Sequence, residues 1–313
     1  MESPPHQPFT ISICIATYRR PQRLGELLAD LARQTRLPDQ VVVVDNDAAG
    51  SARAVVEAFR AGGAPFAVDY DIQPAPNIAM TRNRTVELAH GDWIASVDDD
   101  ERAPPEWLGR LIGAVEQHRA DGVLGPVDPQ LPDAAPAWIS RGRFYDFPRL
   151  PTGAVVPLNR MRFGNVILRA ALMRAEPGPF DACYGLATGE DGDLLIRLVK
   201  RGGRIVWCDE AIVHEPIEST RLSLRWLMQR ALSGGQEFAR KSVSGRYGPI
   251  SSAGRTALLL RSIAQMICDG GLALLSLPAG RHVAARWLIA ACANFGKLSV
   301  FWGWHYSEYA KRR

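Results

Sequence analysis

The sequence predicts an α/β fold with a mostly parallel sheet, followed by a helical C-terminal region. Two observations indicate this fold: short β-branched runs alternate with segments whose leucines recur at helical spacing, and two of these runs end directly in aspartates. Strands buried on both faces read as continuous apolar runs, and their alternation with helices is typical of parallel sheets. The length of 313 residues and the 47% hydrophobic content suit a folded chain and exclude a disordered one.

The first half of the chain justifies this prediction element by element. A first strand fits residues 10–16 and a second fits the four valines at 41–44, while Pro21 opens a helix that ends before Pro38. The alternation then continues with a helix at 52–61, a strand at 66–72, a helix at 77–89, a strand at 93–97 and a helix at 106–118.

The pattern weakens over residues 126–160, which are rich in Pro, Gly and Arg and read as a long functional loop. Its Trp138 and Phe144 could form a platform for a ligand or could be core residues beneath the loop. Regular elements then return as strands at 163–168, 204–207 and 212–214 and a helix at 191–201, and residues beyond Leu222 are helical in period.

Charge divides the chain into two parts of opposite sign. The formal net charge is +4, but residues 221–313 hold 14 basic and 3 acidic side chains, so they carry +11 and leave −7 on residues 1–220. We therefore predict one domain over 1–220 and a basic, apolar helical region over 221–313. Such asymmetry indicates a polyanionic partner for one end only.

Cysteines and targeting signals place the chain in a reducing compartment. The five cysteines are odd in number and far apart, which argues against a disulfide framework or a zinc ribbon. The N-terminus lacks the apolar core of a signal peptide, and charged residues such as Arg261 and Asp269 interrupt the apolar C-terminal runs. We therefore expect a cytoplasmic protein without a spanning segment.

Acidic residues mark the edge of the sheet where a ligand should bind. Asp45 follows the second strand, Asp98 to Asp100 follow the fourth, and Glu190 with Asp191 precede a late helix. Ligands bind outside the carboxyl ends of parallel strands, and three consecutive aspartates there suit a divalent cation. Each motif taken alone also has a simpler explanation, as a solvated turn or as a helix cap.

Five short motifs, taken together and in this order, give the sequence its resemblance to a known family. They are Ile13-Cys14-Ile15-Ala16-Thr17-Tyr18-Arg19-Arg20, Val43-Val44-Asp45-Asn46, Asn77-Ile78-Ala79-Met80-Thr81-Arg82-Asn83, Asp98-Asp99-Asp100-Glu101 and Gly189-Glu190-Asp191-Gly192-Asp193-Leu194-Leu195-Ile196-Arg197. Over residues 10–215 the chain resembles the family 2 glycosyltransferases of the GT-A fold, and within them bacterial exopolysaccharide glycosyltransferases.

The resemblance implies roles on the donor side of an active site. Thr17 and Asp45 would line the base and ribose of a nucleoside diphosphate sugar, for which a UDP-sugar is favoured. Arg82 would lie over the base or near the diphosphate, and Asp98 at the ribose or at a metal-bound water. Asp100 would coordinate Mn²⁺ or Mg²⁺ between the phosphates, since hard oxygen ligands suit these ions.

The resemblance also implies a base for the acceptor side. Asp191 would take the proton of the acceptor hydroxyl in an inverting displacement, and its place at a helix N-terminus stabilises its negative charge. His214, at the end of a later strand, is either a further metal ligand or a structural histidine.

The basic C-terminal region indicates where such an enzyme would work. Its leucines, tryptophans and interspersed arginines fit the surface of an anionic membrane, which could carry a lipid-linked glycan acceptor at the inner face of the plasma membrane. Packing on the catalytic domain, or on a second subunit in a homo-oligomer, is the alternative. A nucleic-acid partner is not expected, because it would not explain so many leucines and tryptophans.

Two other functions remain open at this stage. A nucleotidyltransferase could share the α/β architecture, although such enzymes usually carry a Gly-rich loop after the first strand and residues 16–21 contain no glycine. A non-catalytic membrane scaffold could keep the same fold, although Asp98, Asp100 and Asp191 are all present.

Overall fold

The computed structural model describes residues 9–184 and 189–304. Residues 1–8 and the basic residues 311–313, on which some of the sequence-based expectations rest, lie outside this part of the chain. Contacts divide the molecule into two compact units. The first unit comprises the described residues of 1–128, 149–185 and 190–215, and the second those of 129–148, 186–189 and 216–313.

The strands run as follows: β1 Ile11–Thr17, β2 Gln40–Asp45, β3 Ala67–Ile72, β4 Trp93–Ser96, β5 Gly122–Leu124, β6 Val127–Gln130, β7 Val166–Arg169, β8 Ile205–Trp207 and β9 Val213–Pro216. The helices are α1 Pro21–Leu31, α2 Arg53–Ala61, α3 Ile78–Leu88, α4 Trp107–His118, α5 Ala137–Gly142, α6 Ala170–Arg174, α7 Glu190–Lys200, α8 Leu224–Val243, α9 Ser252–Leu275 and α10 Arg281–Ser299.

A seven-stranded sheet in the order β3-β2-β1-β4-β7-β5-β8 organises the first unit. Strands β1, β2, β3 and β4 pair in parallel, as do β5 and β8, while β7 lies antiparallel to both β4 and β5. The predicted mostly parallel sheet flanked by helices is therefore confirmed. The reversed β7 was not foreseen, because a short apolar run such as residues 166–169 does not encode strand direction.

Hydrophobic burial fixes the centre of this sheet. Strand β2 is buried along its whole length, and the leucines of α1 predicted from their spacing are fully buried against the same core. The register of β1 on β4 pairs Ile11 with Trp93 and Cys14 with Ser96. In this register, the segments that follow the carboxyl ends of β1 and β4 leave the same edge of the sheet.

The second unit contains helices α8, α9 and α10, and α10 packs against both of the others and against α5. Helix α5 lies inside the long loop predicted at 126–160. Trp138 and Phe144 are partly buried there, with ring centres 5.5 Å apart, and pack on a small cluster that includes Tyr145 and Leu227. This is the core arrangement, one of the two alternatives considered for these rings. The boundary predicted at residue 220 stays a prediction.

All five cysteines are free, as expected from their spacing. One described helix, Ser252–Leu275, is nevertheless long and apolar enough to cross a membrane by length and composition. Of an apolar stretch of 18 residues in this helix, 11% is buried. This differs from the expectation that charged residues would leave no such segment. Arg261 and Asp269 do lie within the helix, but the remaining residues between Thr256 and Leu275 are uncharged.

Candidate active site

The end of β1 and the segment that follows it meet the segment after β4 through Thr17, Arg20 and two carboxylates. Thr17 Oγ1 donates a hydrogen bond to Asp99 Oδ2 over 2.8 Å. Arg20 Nη1 donates to Asp99 Oδ1 over 2.9 Å and to Asp100 Oδ2 over 2.8 Å. Arg20 therefore supplies positive charge to two of the three consecutive aspartates, and it also ties the loop after β1 to the loop after β4.

Burial raises the pKa of carboxyl groups in and beside the aspartate cluster, which comprises Asp98, Asp99 and Asp100. Removal from water raises the pKa of Asp99 to about 6; Arg20 opposes the rise and the neighbouring Asp100 carboxylate adds to it. Glu101 is buried and accepts a hydrogen bond from the Asp98 amide over 3.1 Å. Its pKa is raised well above the ordinary value by burial first and then by Asp98 and Asp100. A divalent cation would offset this excess of carboxylates.

Gly164 lets the chain pass close to these carboxylates. Its φ of +80° lies in the left-handed region, and a Cβ atom there would come within 3.3 Å of Asp98 Oδ2 and 3.4 Å of Glu101 Oε1. A glycine satisfies both constraints because it lacks a Cβ atom and tolerates positive φ. The backbone at Gly164 therefore lies directly beside the carboxylates of Asp98 and Glu101.

Arg82 joins the aspartate cluster to the acidic start of α7. It lies on α3, whose N-cap Asn77 accepts hydrogen bonds from the amides of Ala79 and Met80. Its guanidinium donates to Glu190 Oε1 over 2.7 Å and to Asp98 Oδ1 over 3.4 Å, and lies 3.8 Å from Asp191 Oδ2. One side chain therefore contacts three predicted acidic positions at once.

Aromatic rings hold the Arg82 guanidinium in place. Its central carbon lies 5.0 Å from the centre of the Phe163 ring and 5.8 Å from that of Phe180, and these two rings pack edge to face. Cation–π contact favours a planar guanidinium over an ammonium group at such a site. Only 12% of the Arg82 side chain is exposed, so its ion pairs are shielded from bulk water.

The two acidic residues that begin α7 differ in accessibility. The Glu190 side chain is 5% exposed and is committed to Arg82, whereas that of Asp191 is 29% exposed. Asp191 Oδ1 accepts a hydrogen bond from the Gly192 amide over 2.6 Å, and three acidic residues share this first helical turn. Asp191 thus lies at a helix N-terminus near an arginine and keeps an open side, and these features suit a general base.

Asp45, at the carboxyl end of β2, is fully buried. Its Oδ1 accepts from the Asp47 amide over 2.9 Å, and its Oδ2 accepts from the Ala52 amide over 2.8 Å and from the Tyr70 hydroxyl over 3.2 Å. Asp45 therefore orders the loop between β2 and α2. Its predicted contact with a nucleoside stays a prediction.

His214 lies beside the segment that follows the aspartates. Its backbone exchanges hydrogen bonds of 2.8 and 2.9 Å with Arg102, two residues beyond Asp100. Its ring Nδ1 lies 3.2 Å from Asp128 Oδ2, and both side chains are partly exposed. A carboxylate on one ring nitrogen is the usual partner of a metal-binding histidine, since it orients the ring and its other nitrogen.

The side chains near the aspartates determine whether the site could hold a metal ion. Among residues 9–184 and 189–304, no three His, Cys, Asp or Glu side chains are grouped as a ready-made cage. Mg²⁺ and its close relatives need none, because one or two carboxylates plus substrate phosphates commonly complete their shell. The carboxylates of Asp98 and Asp100 fit such a shared site, in which Arg82 contacts Asp98 and Arg20 contacts Asp100.

Several residues of the site were not singled out as site residues by sequence reasoning. In the sequence, Arg20 stands in a motif without an assigned role, Glu190 reads as a helix cap, and Phe163, Phe180 and Asp128 carry no recognisable signal. The consecutive aspartates did signal a need for positive charge, and that signal could have directed attention to the Arg19-Arg20 pair after β1.

Comparisons with known proteins match the chain to a family and to a relative. Residues 12–174 match the model of the family described as Glycosyl transferase family 2. The succinoglycan biosynthesis protein ExoM of Rhizobium meliloti (strain 1021) is 36% identical over 247 residues, which cover 78% of this chain and 79% of the relative.

Solved structures share the fold at low identity. The mannosyltransferase PcManGT from Pyrobaculum calidifontis, in complex with GDP-Man and Mn²⁺, superposes with a TM-score of 0.62 at 17% identity, covering 92% of this chain and 87% of that one. S. aureus TarS 1-349 in complex with UDP-GlcNAc superposes with a TM-score of 0.53 at 18% identity, covering 95% and 93%.

The predicted GT-A fold and the predicted kinship are both confirmed by these matches. The sheet order, the arginine-bridged carboxylates and the family match over half of the chain lead to one conclusion: the chain is a glycosyltransferase and belongs to glycosyl transferase family 2.

Proposed function

We propose that this glycosyltransferase transfers a sugar, with inversion, from a nucleoside diphosphate donor to a hydroxyl of a lipid-linked or polysaccharide acceptor in bacterial surface glycan synthesis. The observation that carries the proposal is Arg82, which contacts Asp98 on the predicted donor side and Glu190 and Asp191 on the predicted acceptor side. A bridge of this kind holds a base at a fixed distance from a donor bound at the sheet edge.

Asp191 acts as the base in this proposal. As the acceptor oxygen attacks the anomeric carbon, its proton passes to the Asp191 carboxylate, and the bond between the anomeric carbon and the diphosphate oxygen breaks. The electron pair leaves with the nucleoside diphosphate. Asp191 suits this step because it is the accessible member of its pair, while Glu190 stays bound to Arg82.

Asp100 and His214 are the proposed metal ligands, with Asp98 at the ribose or at a metal-bound water. A bound Mn²⁺ or Mg²⁺ would stabilise the negative charge of the departing diphosphate. The Mn²⁺ in the complex of the structural neighbour PcManGT supports this assignment, as does the raised pKa of the buried Glu101.

Thr17, Asp45 and Arg82 are proposed to serve the nucleotide. Thr17 lies at the end of β1 beside Asp99, and Asp45 orders the loop after β2, so each would act by shaping the nucleoside pocket as well as by direct contact. UDP is the favoured nucleotide, with support from the UDP-GlcNAc complex of TarS. The GDP-Man complex makes GDP the first competitor to test.

The acceptor and the place of work are part of the same proposal. The similarity to a succinoglycan biosynthesis protein supports an exopolysaccharide product. The charge of +11 on residues 221–313 supports work at the inner face of the plasma membrane, where a lipid-linked glycan would be reached.

A thermal-shift screen of nucleoside diphosphates and their sugars, with and without Mn²⁺, tests the proposal. Ligands that bind only the native state raise its melting temperature, so UDP or a UDP-sugar should stabilise the chain and Mn²⁺ should increase the shift. Stabilisation by nucleoside triphosphates but not by diphosphate sugars would instead indicate a nucleotidyltransferase. No shift with any nucleotide would favour a non-catalytic scaffold.

A further inference from the structure

Helix α9 packs inward on a face that includes polar residues, and it exposes a face of large apolar side chains. Ser262, Asp269 and Ala273 recur at spacings of seven and four and therefore share one face. Ser262 and Ala273 are buried, and Asn294 of α10 donates a hydrogen bond to Asp269 Oδ2 over 2.9 Å. The inner face of α9 thus makes a polar contact with α10. In a water-soluble bundle the inner face of a helix is typically apolar and the outer face polar.

The outer face of α9 is apolar and open. Leu260, Ile267 and Leu274 recur every seven residues and are 60%, 65% and 71% exposed. Ile263, Leu272 and Leu275 broaden the surface to about half of the helix circumference at 3.6 residues per turn. Contiguous exposed apolar surfaces of this kind mark sites where another molecule or a membrane docks.

The width of the apolar face of α9 and the charge of the surrounding region indicate what binds to this face. A seam between two helices needs only a narrow apolar stripe, whereas this surface is much wider. The described residues from 221 to 304 hold 11 basic and 2 acidic side chains, so a second copy would bring a region of equal positive charge. A bilayer containing anionic lipids matches both the width of the apolar face and the sign of the charge.

The position of Arg261 indicates how α9 would lie. It is an exposed residue near the middle of the helix, and at 3.6 residues per turn it lies between Leu275 and Leu272, near one edge of the apolar face. A spanning orientation would place its guanidinium deep in the hydrocarbon, whereas a helix lying in the plane of the membrane lets it reach the headgroups. Trp302 and Trp304, 59% and 45% exposed after α10, are residues of the type enriched at membrane–water boundaries.

We propose that the outer face of α9, defined by Leu260, Ile263, Ile267, Leu272, Leu274 and Leu275, lies in the plane of an anionic membrane with these side chains in its apolar layer. The proposal rests on the proposed function, in which the acceptor glycan is reached at the membrane. Binding to vesicles nevertheless needs neither donor nor acceptor, so the two can fail separately.

Flotation of the full chain with vesicles tests the proposal. The wild type should float with vesicles of phosphatidylcholine and phosphatidylglycerol, and the double variant Ile267→Glu, Leu274→Glu should partition at least about 100-fold less, since two large side chains would no longer enter the apolar layer. A matched control is Phe147→Glu with Val155→Glu, which adds the same charge at exposed apolar positions outside α9 and should float like the wild type.

A fluorophore on Cys268 gives a second readout that does not depend on the glutamate variant. Cys268 is exposed on α9, and the substitutions Cys183→Ser and Cys292→Ser leave only the buried Cys14 and Cys208 besides it. On addition of vesicles, the emission of an environment-sensitive label should shift to the blue, and spin-labelled lipids should quench it.

Three outcomes would overturn the proposal. The glutamate variant could float as well as the wild type, or the wild type could stay out of both anionic and neutral vesicles. A dimer in the absence of lipid that the glutamate variant dissociates, with a Cys268 label insensitive to vesicles, would assign the face to a second copy. In each case, thermal stabilisation of the chain by UDP with Mn²⁺ would still support the proposed transfer reaction.

Discussion

At the scale of single residues, Arg82 distinguishes two accounts of the site. The sequence resemblance implies a contact with the donor, whereas the structure gives it ion pairs with Asp98, Glu190 and Asp191 and a stack on two phenylalanine rings. Both roles are compatible with one guanidinium, which presents several donors in a planar fork. Kinetic measurements can separate them.

Arg82→Lys keeps the charge but loses the fork. If Arg82 chiefly positions Asp191, kcat should fall by roughly 100-fold while the Kd of the donor changes little, because small displacements of a base are costly. If it chiefly binds the diphosphate, the Kd should rise in proportion. Steady-state kinetics together with calorimetric titration of UDP gives both numbers.

Asp191→Asn tests the base. Donor affinity should stay near the wild-type value while turnover falls by about 10²–10⁴-fold, the usual contribution of a general base. Glu190→Gln is the matched control: it weakens the hold on Arg82 without removing the proposed base, so its loss should be smaller. A larger loss for Glu190→Gln than for Asp191→Asn would reverse the two roles.

Asp100→Asn tests the metal assignment. Titration of UDP should show that Mn²⁺ strengthens binding to the wild type and no longer strengthens binding to the variant, because a carboxylate ligand has become a neutral amide. Affinity without metal serves as the internal control. An undiminished effect of Mn²⁺ in the variant would remove Asp100 from the metal site.

At the scale of secondary-structure elements, the order of strands and helices was predictable because burial imposes local periodicity. The predicted strands at 10–16, 41–44 and 66–72 each lie within a residue of the observed bounds. What escaped prediction depends on tertiary context. Strand β5 is three residues long, and the antiparallel direction of β7 follows from its neighbours in the sheet.

The same division holds for the site. Acidic residues at strand ends were readable from the sequence, since the topology of a parallel sheet places such ends at one edge. The pairing of Arg20 with Asp99 and Asp100, and of Arg82 with Glu190, joins residues about 80 and 108 positions apart. No local pattern encodes which acid an arginine will reach at that distance.

The N-cap of α3 offers a prediction about an element that carries a site residue. Asn77→Ala should destabilise the first turn of α3 by about 1 kcal/mol, because the amides of Ala79 and Met80 lose their acceptor. Hydrogen exchange of the α3 amides measures the effect. Asn77→Asp is the matched control, since it keeps the cap but loses the donation to the Ala182 carbonyl. Unchanged exchange in Asn77→Ala would refute the cap.

At the scale of the whole molecule, charge is distributed unevenly along the chain. Residues 1–220 carry −7 and include the carboxylates of the candidate site, while residues 221–313 carry +11 and include the apolar face of α9. The formal charge of +4 therefore conceals two parts with different physical chemistry. One suits a cation and a phosphorylated donor, and the other suits an anionic surface.

This asymmetry predicts a salt-sensitive association with anionic membranes. Raising the salt from about 0.1 M to about 1 M shortens the screening length from about 10 Å to about 3 Å, so flotation with anionic vesicles should weaken but not vanish. The residual binding would come from apolar burial and should resemble binding to neutral vesicles at low salt. Salt-independent flotation would contradict an electrostatic contribution.

The central claim is that Asp191 serves as the base for transfer from a nucleoside diphosphate sugar. The most direct test measures release of UDP from a UDP-sugar, with Mn²⁺ and an acceptor glycan extract, by the wild type and by Asp191→Asn, after both have been shown to bind UDP. The account predicts release by the wild type and a loss of at least about 100-fold in the variant. Equal release by both proteins would contradict it.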